Sequence, residues 1–173
     1  MPPQQVPEER GGDLAALFEA LDSARLRRGL TWRELTSEVN ALFSASGARP
    51  ISQSTITRLR RARVAEGDGV LQLFRWLGCS PEDLAGESRD DARLPNATPQ
   101  HVLRFDTKRL HAALEARRAE LGLTWARLAA QIGLNAAALT RLANGGRTTY
   151  PGVLRISKWL AQPTSAFIRL STR

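Results

Sequence analysis

At 173 residues, with 42% hydrophobic and 24% charged side chains, the chain has room for one ordinary domain or two small ones. It holds no apolar run near the ~18 residues of a spanning helix, its opening MPPQQVPEERGG shows no apolar stretch behind a positive charge and is not expected to direct export, and one cysteine with two histidines offers neither a disulfide nor a zinc cluster. A net charge of +8 and a pI near 11.2 point toward a polyanionic partner, and we expect a soluble cytoplasmic protein with no membrane contact and no cofactor.

In chain order, residues 1–12 read as a disordered tail. Leu14, Leu17, Phe18, Leu21, Ala24 and Leu26 follow helical spacing up to a stop at Gly29. Thr31 then caps a second helix, with Glu34 three residues on as its capping-box partner. Ser52 caps a third, QSTITRLRR, and a fourth is expected from about Gly69 to Leu77, with Ser80-Pro81-Glu82-Asp83 opening a short fifth. After a polar stretch, GESRDDARLPNATPQ, the same series returns. Thr124 caps without the box because Arg127 stands where the glutamate would, Asn135 caps AAALTRLAN, and Asn144-Gly145 supplies a left-handed stop. A helix from Gly152 to Leu160 and a last one opened by Pro163-Thr164-Ser165 complete it. No segment alternates with period two, so the expected fold class is all-α, as two tandem bundles of four to five helices.

The return is a duplication. LFEALDSARLRRGLTWRELTSEV (17–39) aligns with LHAALEARRAELGLTWARLAAQI (110–132) at an offset of 93, and PISQSTITRLRR (50–61) with GLNAAALTRLAN (133–144) at 83. At 83 as well, GVLQLFRWLG (69–78) falls on GVLRISKWLA (152–161), so the first repeat carries ten extra residues, about ALFSASGARP. The expected units are 13–85 and 106–173, joined by a linker over 86–105. Charge divides unevenly, with 12 Lys or Arg against 3 Asp or Glu from residue 100 onward.

A short helix, a glycine-containing turn of about three residues and a second helix is the helix-turn-helix pattern. GLTWARLAAQIGLNAAALTRLANGGRTTYPGVLRISKWL resembles the Cro-type, or xenobiotic-response-element-type, helix-turn-helix domain of phage repressors and bacterial regulators. The resemblance covers 107–170 well and 14–85 less closely, because the insertion lengthens the first turn. It implies lambda-repressor-like units and a transcriptional regulator that binds double-stranded DNA without catalysing a reaction. It places base reading on Gln53, Ser54 and Arg58 in one repeat and on Ala136, Ala137 and Arg141 in the other. The chemistry is uneven: glutamine can pair adenine and arginine can fork onto guanine, whereas the two alanines offer methyl contact with thymine or a close backbone approach.

Thr57, Thr140 and the cap Asn135 belong to the same expected contact set, and Arg60, Arg61, Arg63, Arg147, Thr148 and Thr149 are candidate phosphate contacts at its rim. Arg33 and Arg127 lie in the first turn of the second helix of each repeat, where free N–H groups favour a phosphate. Trp32 and Trp125, each ending a GLTW, either pack on their own unit near Trp76 and Trp159 or aim the indole N–H at a phosphate, or do both. The competing reading is an adaptor or antitoxin-like protein in which one repeat docks RNA polymerase or another protein, with Leu42 and Phe43 of the insertion as its anchor. Monomer and homodimer are both open; His101, His111 and Cys79 read as surface or packing residues.

Overall fold

The computed structural model describes residues 12–172. The expected tail lies outside these residues except for Gly12, which begins the first helix. Among the described residues, the first repeat forms α1 (Gly12–Arg27), α2 (Trp32–Ala41), α3 (Gln53–Arg58), α4 (Gly67–Leu77) and α5 (Pro81–Leu84). Strand β1 (Val102–Phe105) follows, then α6 (Thr107–Glu120), α7 (Trp125–Ile132), α8 (Ala136–Ala143), α9 (Tyr150–Leu160), a 3-10 turn (Thr164–Phe167) and β2 (Ile168–Ser171). The fold is mostly helical with a small two-stranded sheet.

Local chemistry sets most helix starts. The Thr31 hydroxyl accepts from the Glu34 amide while the Glu34 carboxylate accepts from the Thr31 amide at 2.7 Å, a complete capping box. Thr124, Ser52 and Asn135 cap α7, α3 and α8 from their side chains, each cap contributing roughly 1 kcal/mol. α4 and α9 begin two residues before the expected glycines, because Glu66 and Thr149 take the cap positions. Each Glu66 carboxylate oxygen accepts a backbone N–H, from Asp68 and from Gly69.

Leu17, Leu21, Leu35 and Val39 are fully buried, as are Leu110, Leu114 and Leu128 at matching positions, and Ile132 is nearly so. A buried leucine contributes ~1.5 to 3 kcal/mol, so this recurring stripe is the main source of helix stability. Leu26 departs from expectation at 62% exposed. Five residues beyond Leu21 it has turned about 140° off the buried stripe.

The all-α expectation needs correction at the sheet. β1 and β2 pair antiparallel, with Val102 opposite Ser171 and Phe105 opposite Ile168. Each strand is four residues long, too short to show alternation, and its partner lies at the far end of the second repeat. Nor is the end of the expected linker a free tether. Gln72 of α4 donates to the Leu103 carbonyl at 2.7 Å and accepts from the Leu103 amide at 3.4 Å, while Asp68 accepts from the Phe105 amide at 2.9 Å and pairs with Arg104 at 3.3 Å. Arg75 donates to the carbonyls of Thr98 and His101, both at 2.9 Å. The buried apolar side chains of both repeats join in one cluster.

Equivalent parts of the two repeats meet each other. Gly67 N–H donates to the Thr148 carbonyl and Tyr150 N–H to the Ala65 carbonyl, both at 2.9 Å, around an antiparallel bridge between Glu66 and Thr149. At the offset of 83, Gly67 corresponds to Tyr150 and Ala65 to Thr148, so exchanging the repeats turns one bond into the other. That is the mark of an isologous contact about a local twofold axis. α4 also packs on α9, and α5 on the 3-10 turn. Glu82 of α5 accepts from both the amide and the hydroxyl of Thr164, at 2.6 Å each.

Candidate nucleic-acid interface

α7 ends at Gly133, whose φ of +74° is the left-handed geometry that stops a helix without a side-chain clash. Gly133, Leu134 and Asn135 make the whole turn before α8. Leu139 and Leu142 face inward, while Ala136, Ala137, Thr140, Arg141 and the cap Asn135 are exposed. The first repeat builds the same division with a different turn. Asn40 donates to the Ile51 carbonyl at 2.9 Å and accepts from the Ile51 amide at 2.8 Å, and Ile51 aligns with Leu134. The Asn40 side chain therefore ties together the two ends of the insertion. Beyond it, Ile56 and Leu59 are buried, Gln53, Ser54 and Arg58 are exposed, and Thr57 is half-buried.

The two GLTW tryptophans share one environment. Trp32 stacks on Phe18 with ring centres 5.1 Å apart, and the Arg25 guanidinium lies 4.7 Å from its ring centre. Trp125 stacks on His111 at 5.0 Å, with the Arg118 guanidinium also at 5.0 Å. Phe18 and His111, and Arg25 and Arg118, are matched at the offset of 93. Each arginine is fixed in turn: Arg25 binds Asp22 and the Leu30 carbonyl, and Arg118 binds Glu115 and the Leu123 carbonyl. Arg118 thereby holds the Glu115 carboxyl below the usual carboxylate range.

The neighbours expected for these indoles, Trp76 and Trp159, sit elsewhere. They donate to Glu38 at 2.9 Å and to Gln131 at 3.0 Å, again matched positions. Trp32 and Trp125 are half-buried, and neither indole N–H has a hydrogen-bond partner among the described residues. Each indole is thus held by a stacked ring and a guanidinium while its single donor stays available.

Arg33, Arg61, Arg127 and Arg147 are exposed, as are Arg60 and Arg63, and none makes an ion pair among the described residues. Arg60 instead lies 6.0 Å from the Phe18 ring centre. Thr148 and Thr149 are committed otherwise, one through its carbonyl to the twofold bridge and the other as the cap of α9. Glu66 and Asp68, the acids nearest Arg63 in sequence, serve the α4 cap and β1. Sequence reasoning missed the Arg25 and Arg118 clamps, although aligning the repeats position by position would have found both.

Phe43 is 2% exposed, packed in the core, and is therefore not an available anchor for a docked protein. Cys79 is half-buried, and burial pushes its thiol up, away from reactivity. No helix among the described residues is long and apolar enough to cross a membrane. Comparison with protein-family models, with curated proteins and with solved structures finds no match to this chain.

Proposed function

We propose that the chain is a double-stranded-DNA-binding transcriptional regulator in which two lambda-repressor-like helix-turn-helix units act as one body. The observation that carries the reading is the twice-built division of α3 and α8: leucines and isoleucine inward, Gln53, Ser54 and Arg58 or Ala136, Ala137 and Arg141 outward. These helices would enter successive major-groove segments, with Arg58 and Arg141 forking onto guanine and Gln53 onto adenine. Trp32, Arg33, Trp125 and Arg127 would hold phosphates at the starts of α2 and α7, and Arg61 and Arg147 would do so at the rim.

The twofold bridge at Glu66 and Thr149 sharpens the target. Units related by a twofold axis present their reading helices in inverted orientation, which suits an operator of two inverted half-sites. The half-sites would differ in sequence because the reading residues differ. One chain would then occupy the pair that a single-unit regulator covers as a dimer.

Selection from random duplex DNA with the full chain, followed by anisotropy titrations, tests this. We expect an enriched unequal inverted pair, one chain per duplex, and affinity that falls steeply between ~50 and 200 mM salt. Arg58→Ala and Arg141→Ala should each lose ~1 to 3 kcal/mol of discrimination at one half-site. Equal binding to random and selected DNA, or a flat salt response, would overturn the reading.

A further inference from the structure

A cleft of about 520 Å³ opens beside α3, between the insertion, α4 and β1. That size is in the ~300 to 1,000 Å³ range of small-molecule sites. Among its apolar lining, Val64 is exposed and Ala48, Ile51, Ala62 and Ala65 are half-buried, whereas Phe43, Leu59, Val70, Leu73 and Val102 belong to the core behind them. The insertion contributes Phe43, Ala48 and Arg49, which have no counterpart in the second repeat.

The polar groups of the cleft divide by whether they are already used. Glu66 caps α4, Asp68 holds Arg104 and the Phe105 amide, and Gln72 holds Leu103. Arg49 from the insertion, Arg58 from α3 and Arg147 from the second repeat also line it, and these three have no hydrogen-bond or ion-pair partner among the described residues. An apolar wall edged by three uncommitted guanidiniums is complementary to a molecule with an apolar body and an anionic head.

We propose that this cleft binds a small amphiphilic anion, a carboxylate or phosphate ester carrying an aryl or acyl body, and that the bound anion draws Arg58 away from the DNA face of α3. The second clause rests on the DNA-binding reading above; the first does not. Binding would therefore take a base contact, Arg58, from the half-site read by the first repeat, and from the second repeat only the phosphate contact of Arg147, so the first half-site weakens more.

Calorimetric titration of the full chain with decanoate, decanol and inorganic phosphate tests the site. Decanoate should bind about tenfold or more tighter than either control, since only it meets both the wall and the guanidiniums, and Arg49→Glu and Arg147→Glu should each weaken it about tenfold. Both positions are exposed, and circular dichroism checks that the variants fold. Decanol binding as tightly as decanoate, phosphate binding as tightly as decanoate, or charge reversal without effect would overturn the ligand assignment. With the site established, saturating decanoate should lower affinity for the first half-site in the anisotropy assay; equal loss at both half-sites, or none, would overturn the link to Arg58. Failure of the DNA reading itself would show instead as absent selection without any ligand.

Discussion

Replacing Gly67 with alanine tests the twofold junction directly. A methyl group built at this position meets Phe105 ring carbons at 2.8 and 3.0 Å and the Thr148 carbonyl oxygen at 3.1 Å. Comfortable carbon contacts begin near ~3.5 Å, so the ring or the helix start must shift by roughly half an ångström. Neither yields easily: Phe105 is 4% exposed on a paired strand, and the Thr148 carbonyl is held by the Gly67 amide itself at 2.9 Å. Overpacking of this kind costs ~1 to 3 kcal/mol, against a gain of ~0.5 to 1 kcal/mol from removing a helical glycine. We expect a net loss of ~1 to 2 kcal/mol in equilibrium urea unfolding followed by circular dichroism. Gly69→Ala is the matched control, because its methyl meets only a Glu66 carboxylate oxygen, at 3.3 Å, and should leave stability unchanged or raised. Equal midpoints for the two variants would refute the close approach of the repeats at Gly67.

Gln72→Leu removes the amide that serves both backbone groups of fully buried Leu103, and should cost ~2 to 3 kcal/mol in the same assay with selective loss of amide-exchange protection in β1. Burial pushes the Tyr150 phenol well above its ordinary value, so the folded state keeps a proton that the unfolded chain releases near pH ~10. That stability is present in full below pH ~10 and falls as pH rises beyond it; Tyr150→Phe should flatten this alkaline limb in urea midpoints measured from pH 8 to 11. Trp32→Phe and Trp125→Phe keep a stacked ring but delete the donor, and should weaken DNA anisotropy binding several-fold with an unchanged urea midpoint if the N–H meets a phosphate. A changed midpoint with unchanged DNA binding would assign the indoles to packing alone.

Helix content and capping were legible because their causes are local. Thr31 with Glu34 is a self-contained pattern, and the Leu17, Leu21, Leu35 and Val39 stripe repeats at regular spacing. The sheet was hidden because Val102–Phe105 has meaning only against Ile168–Ser171, and period-two reasoning needs longer strands. Glu66 is hidden as a cap because glutamate rarely fills that place. The exposed reading positions followed from the buried ones, since fixing Ile56, Leu59, Leu139 and Leu142 inward turns Arg58 and Arg141 outward.

What the repeats share and where they differ divide along physical lines. Both use the same ring, tryptophan and arginine cluster, the same indole donation from the fourth helix to the second, and a backbone exchange that maps onto itself. The first two tie α2 to α1 and α4, and α7 to α6 and α9. The differences sit on the outward face of α3 against that of α8, and in the turn before α3, where Asn40 closes on Ile51 at the two ends of the ten added residues. A scaffold that tolerates such an excursion can acquire a ligand wall without moving its reading helix. On the proposed reading, this is why a small molecule can reach the base-reading face of the first repeat, while the second, with its three-residue turn, keeps its own reading face.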